Sequence, residues 1–224
     1  MKLKGSKKRK AEVVLANTIR TLLVISMIIS IVTHNYLNFF TALLTLCLTF
    51  LPFIIAKKNH IKLPPSFQII ILLFIFASQY LGEMKNYYLK FWWWDLMLHT
   101  LSGLILGFLG FLLVYILNKE EKVNVYLSPF FMALFAFTFA VSVGALWEIF
   151  EFSMDNIFGL NMQKSGLVDT MWDLIVDSIG AIVAAFSGYL YEKNREEGIF
   201  KNLITKFLKM NSQLFKQNSK SRDI

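Results

Sequence analysis

Thiols are almost missing from this chain. Cys47 is the only cysteine in 224 residues, so no intramolecular disulfide and no thiolate metal cluster can form. It falls within an apolar stretch and is expected to behave as a small buried hydrophobe. Internal repetition is lacking too, and no inverted pair of segments marks a carrier built from repeats. A cleavable leader is not expected. Arg20 interrupts the first apolar stretch and no small-x-small cleavage site follows, so that stretch reads as a retained span. Acidic residues are scarce, 15 against 23 Lys and Arg, which makes their positions informative.

Apolar residues are abundant instead. They make up 56% of the chain, and the mean hydropathy is +0.53. A soluble domain of this length would be far more polar. The apolar residues form long runs, and a membrane-crossing helix needs about 20 of them. Six spans are expected, at 13–34, 37–56, 67–84, 92–117, 126–152 and 169–191. The fold class is therefore all-α, a polytopic transmembrane helical bundle with a cytoplasmic amphipathic C-terminal helix.

The net charge of +8 does not point to nucleic acid, because of how it is distributed. Nineteen of the 23 basic residues lie before span one, after spans two and four, or after span six. Only Lys85, Lys90 and Lys164 fall on the opposite side, with Arg20 inside span one. The positive-inside rule then predicts both termini in the cytoplasm. The basic surplus is expected to meet anionic lipid. Arg20 reads as a side chain snorkelling to the cytoplasmic interface.

Three regions are expected along the chain: a basic N-terminus over 1–12, the membrane domain over 13–191 and a cytoplasmic tail over 192–224. His34 and His60 sit in connecting loops and read as solvated. Residues 153–168 read as the longest outer loop. In the tail, Phe200, Leu203, Ile204, Phe207 and Leu208 recur at helical spacing, with Lys201, Lys206 and Lys209 mostly off the stripe. That pattern predicts a helix lying on the inner leaflet, or one packing on another subunit. Gln217–Ile224 read as disordered.

The informative residues are those a membrane least easily accommodates. In span four, Asp95 follows the aromatic run Phe91-Trp92-Trp93-Trp94, and His99 lies one turn further on the same face. In span five, Glu148 and Glu151 stand three apart beside Trp147. In span six, Asp169, Asp173 and Asp177 follow at i, i+4 and i+8, covering about 12 Å of one face. Small residues (Ser102, Gly103, Gly107, Gly110, Ser142, Gly144, Gly180, Ala181) leave room for close helix approach. The alternating topology brings all three groups to the outer leaflet. One imidazole with several carboxylates suits a hard-to-borderline divalent cation, with Zn²⁺, Mn²⁺ and Mg²⁺ all left open. The expected ligands are His99, Glu148, Asp173, Asp177 and Asp95, with Glu151 or Asp169 as general base.

Asp-x-x-x-Asp in a membrane helix also occurs in CDP-alcohol phosphotransferases. The upstream Asp-x-x-Asp-Gly-x-x-Ala-Arg of that family is absent here. Asp95-Leu-Met-Leu-His99, Trp147-Glu148-Ile149-Phe150-Glu151 and Asp169-Thr170-Met171-Trp172-Asp173, with Asp177 and Gly180-Ala181, together resemble the YjdF-like bacterial inner-membrane proteins. More distantly the order is similar to VanZ-like proteins, whose pattern runs Asp-x-x-x-His, Glu-x-x-Gln, Asp-x-x-x-Asn-x-x-Gly. Glu151 stands here in place of the Gln and Asp177 in place of the Asn. The resemblance spans roughly residues 90–185. It implies a bacterial multi-pass protein and supplies no reaction.

Three functions compete. A metal-dependent hydrolase or transferase would act on a lipid or lipid-linked envelope precursor. A proton-coupled transporter would use the same acids as a relay, with a homo-oligomer supplying the path. A non-catalytic envelope factor would use the polar group only to lock helices together.

Overall fold

The computed structural model describes residues 2–58, 61–119, 126–194 and 199–212. His60, Lys122 and Gln217–Ile224 lie outside the described residues. Six helical stretches are long and apolar enough to cross a membrane: Lys10–Val32, Tyr36–Lys58, Pro65–Met84, Trp94–Asn118, Pro129–Phe158 and Leu167–Asn194. No strand occurs among the described residues. Large apolar side chains such as Leu37, Phe53, Leu113, Phe130, Ile149 and Ile182 stand on outward faces. A soluble fold would bury them, and lipid solvates them.

Among the described residues the helices fall into two compact units, residues 2–94 with 205–212, and residues 95–204. The first holds α1 (Lys2–Val32), α2 (Tyr36–Leu48), α3 (Leu51–Lys58), α4 (Pro65–Ile75) and the short α5 (Tyr87–Lys90). On α1, Ala16, Ile19 and Leu23 recur at helical spacing and pack with Leu72 of α4. Asn35 caps α2 by accepting from the Asn38 N–H. Pro65 opens α4 at a position where its missing donor costs nothing. The Asn35 and Pro64-Pro65 punctuation therefore sets where the second and third spans begin.

Two features of this unit depart from the smooth helices the hydropathy implies. Span two breaks between α2 and α3 at Thr49-Phe50, just before Pro52, which has no N–H to offer the preceding turn. The Arg20 guanidinium fills the break. Its Nε donates to Thr49 Oγ1 at 3.1 Å and its Nη2 to the Thr49 carbonyl at 3.2 Å, while the Phe50 ring lies 3.9 Å from the guanidinium carbon. Arg20 thus reaches sideways to the break in the neighbouring span, a partner the snorkelling expectation does not include. The third span continues from α4 as a π-helical stretch, Phe76–Met84. Cys47 is exposed on the outer face of α2, not buried as expected. His34 is exposed in the turn after α1, in line with a loop role.

The C-terminal helix α9 (Ile199–Met210) carries the expected stripe, but the stripe faces protein. Ile204 and Phe207 are buried, and Asn211 just beyond the helix is fully buried. The Asn211 amide clamps the backbone of Lys62, accepting from its N–H at 2.7 Å and donating to its carbonyl at 2.8 Å. Leu203, Ile204, Phe207 and Leu208 of the stripe are thus at least partly covered within the chain.

The second unit holds α6 (Trp94–Lys119), α7 (Pro129–Phe158) and α8 (Leu167–Asn194). Ser128 caps α7, and Gly159 ends it in the left-handed region at φ 67°. Helix α7 runs six residues past the expected end of span five, so the expected loop 153–168 shrinks to 159–166. Apolar Phe152, Ile157 and Phe158 extend the helix, and only the glycine stops it. Helices α6 and α8 approach closely. A Cβ on Gly103 would collide with the Asp177 carbonyl, and one on Gly180 with the Thr100 carbonyl. Phe111, Tyr115 and Tyr191 pack ring to ring at centroid distances of 5.9–6.4 Å further along the same pair.

Candidate metal centre

His99 is the centre of the polar group, and all its partners lie in the second unit. The ring sits about 8 Å into α6, Asp173 about 9 Å into α8, and Glu148 about 15 Å back from the end of α7 at 1.5 Å per residue. The overhang of α7 is what lets three helices of different length bring these groups to one level.

The two imidazole nitrogens face different surroundings. Nδ1 donates to Asp177 Oδ2 at 3.2 Å. Against an ionised Asp177 carboxylate, which can only accept, Nδ1 is the donor of this pair, and Nε2 is turned the other way. Around Nε2 stand Asp95 Oδ1 at 3.8 Å, Glu148 Oε1 at 3.9 Å and Asp173 Oδ2 at 3.9 Å. Ligand atoms of Asp95, His99 and Asp173 lie within 4.8 Å of one another. Donor atoms around a tetrahedral ion at about 2.1 Å stand about 3.4 Å apart. Closing these residues on a cation would take a contraction of about 0.5 Å between Nε2 and the oxygens, and of up to about 1.4 Å between the ligand atoms furthest apart.

Asp177 does a different job. Its Oδ2 pairs with His99 Nδ1, its Oδ1 accepts from Ser102 Oγ at 2.5 Å, and a Cβ on Gly144 would sit 2.7 Å from Oδ2. The small residues expected to permit helix packing thus make room for one aspartate that orients an imidazole. Carboxylate–imidazole pairs of this kind fix ligand orientation at metal sites.

Glu148 is 4% exposed, yet neither of its carboxylate oxygens has a hydrogen-bond partner among the described residues. The Thr170 hydroxyl lies beside it without reaching hydrogen-bond geometry. An unpaired buried carboxylate is costly, and such groups in native proteins usually mark a missing ion or a functional role.

The remaining acids stand further from Nε2. Glu151 Oε1 accepts from Trp147 Nε1 at 2.8 Å along its own helix. Asp169 is half-buried, in electrostatic range of Lys164 and Asp95. The structure thus gathers Asp95, His99, Glu148, Asp173 and Asp177 into one group, with Glu151 and Asp169 at its margin.

Sequence reasoning missed two members. Lys164 Nζ pairs with Asp95 Oδ2 at 2.5 Å. Asp155 holds the 159–166 segment by accepting from the Met162 and Gln163 N–H groups at 2.7 and 2.9 Å. Lys164 was visible as a lysine on the sparsely charged side, just ahead of Asp169. Asp155 carries no signal in the sequence, since its role depends on α7 continuing to Phe158.

A family described as "Predicted membrane protein (DUF2238)" matches residues 15–194. An uncharacterized protein of Thermotoga maritima is 30% identical over 136 residues, which are 61% of this chain and 68% of that protein. No solved structure matches. The three helices that carry the polar group all fall inside the matched range, and with most of its length covered the chain belongs to this DUF2238 family of membrane proteins.

Proposed function

We propose that the cluster is a divalent-metal centre of a YjdF-like membrane hydrolase or transferase acting on a lipid or lipid-linked envelope precursor. The observation that carries this reading is Glu148, buried, without a hydrogen-bond partner among the described residues, and 3.9 Å from the Nε2 nitrogen of His99. Asp95, His99 Nε2 and Asp173 would hold the ion, with Glu148 completing the set. A divalent ion there supplies polarisation of a phosphoryl or carbonyl oxygen, or an activated water. Asp177 keeps the imidazole in its ligating tautomer. Glu151 and Asp169, at the margin, serve as the proton acceptors of the reaction. The VanZ-like likeness has only motif order behind it.

The basic residues favour cytoplasmic termini in a bacterial inner membrane, which turns the cluster toward the outer leaflet. A site within a few turns of that surface is reached most readily by a lipid or a lipid-linked molecule. Elemental analysis of the purified protein, beside His99→Ala, tests the centre. Stoichiometric metal in the wild type and its loss in the variant are expected. Equal content in both would leave the cluster as a proton relay or a helix staple.

A further inference from the structure

The segment between α7 and α8 carries a cation into the cluster. It begins and ends on glycines in the left-handed region, Gly159 at φ 67° and Gly166 at φ 64°, with nothing within 4 Å of a Cβ at either. Those glycines serve chain reversal, not close packing. Between them Asp155 grips the Met162 and Gln163 amides, and Gln163 Nε2 donates to Thr170 Oγ1 at 2.6 Å. Lys164 follows directly and points its ammonium at Asp95 Oδ2. The other oxygen of the same carboxylate, Oδ1, faces His99 Nε2 at 3.8 Å.

One aspartate is therefore shared between an ammonium and the position a metal would take. A lysine head is a compact point charge on a flexible stem, free to change partners with little rearrangement. Like charges a few ångströms apart repel, so a divalent cation drawn onto Asp95 weakens the hold on Lys164. Asp169 lies in range of Lys164 and keeps the released ammonium beside the cluster. An ammonium next to a carboxylate-held divalent ion is the arrangement that neutralises a phosphoryl group.

We propose that Lys164 and a divalent cation compete for Asp95, and that the displaced ammonium receives the phosphate group of the substrate. This rests on the metal-centre reading. It adds to it the ligand class and an order of binding, cation first and phosphate second.

Calorimetric titration of the full-length protein in detergent with Mn²⁺ reads the first half. Lys164→Met should bind Mn²⁺ severalfold more tightly than the wild type, and His99→Ala should bind it poorly. Titration with inorganic phosphate reads the second half. Wild type loaded with Mn²⁺ should bind it, wild type without Mn²⁺ should not, Lys164→Met should fail in both states, and Lys164→Arg should recover part of the binding. Repeating the Mn²⁺-loaded arm in nanodiscs with phosphatidic acid, against phosphatidylcholine alone, separates a lipid phosphate from a free one. Unchanged or weaker Mn²⁺ binding in Lys164→Met overturns the competition. Equal phosphate binding by Lys164→Met and wild type overturns the assignment of the ammonium. Wild type and His99→Ala taking up the same Mn²⁺ would instead remove the metal centre itself, and this inference with it.

Discussion

Gly103→Ala is a small change with a large expected reach. The added Cβ would sit 2.9 Å from the Asp177 carbonyl carbon and 3.0 Å from its Cα. Carbon atoms at rest stand about 3.5–4.0 Å apart and the carbonyl oxygen is nearer still, so α6 and α8 must separate locally by at least about 0.5–1 Å. Overpacking of this kind costs about 1–3 kcal/mol. Alanine returns up to about 1 kcal/mol over glycine in a helix interior. The Asp177 bond to His99, at 3.2 Å, then passes beyond useful length, at a cost of about 1 kcal/mol. Net destabilisation of about 1–3 kcal/mol is expected. Loss of a partner that orients a metal ligand typically weakens metal binding about 10–100-fold. Thermal unfolding in detergent and Mn²⁺ titration read the two effects separately. Gly180→Ala should behave alike, because its Cβ meets the Thr100 carbonyl from the opposite helix. Wild-type melting and wild-type metal affinity in Gly103→Ala would refute both the close approach and the dependence of His99 on it.

Arg20→Met should lower the melting temperature by an amount matching about 1–3 kcal/mol, since two hydrogen bonds to Thr49 and the contact with Phe50 are lost together. An unchanged melting curve would mean the break in span two needs no donor from α1. Asn211→Ala leaves the Lys62 N–H and carbonyl without their side-chain partner and should expose the C-terminal helix to limited proteolysis at protease levels the wild type resists. Equal cleavage of both proteins would count against the clamp.

The legible parts of this protein were those written as composition and spacing. Six long apolar runs gave six crossings, because a bilayer accepts little else. Asp95 with His99, and Asp173 with Asp177, were legible as shared faces because helical periodicity is local. Their meeting with Glu148 followed from alternating direction through the membrane. What stayed hidden depends on contacts between elements. The division of labour between Asp173, near Nε2, and Asp177, at Nδ1, follows from which side of one imidazole each helix turn faces. Arg20 looked like a side chain heading for water because its partner is a backbone gap on another helix. The tail stripe looked lipid-bound because amphipathicity does not say what covers the apolar face. The π-helical stretch from Phe76 has no Pro or other residue that announces it.

Asp177 joins duties usually kept apart. Its backbone carbonyl sets how near α6 can come, its carboxylate fills the space left by Gly144, and the same carboxylate orients the histidine ring. Stability and chemistry at that point are one constraint. Screening for sturdier versions of this protein should therefore find its gains elsewhere, and a family member with a different residue there is expected to have changed Gly103, Gly144 and His99 along with it.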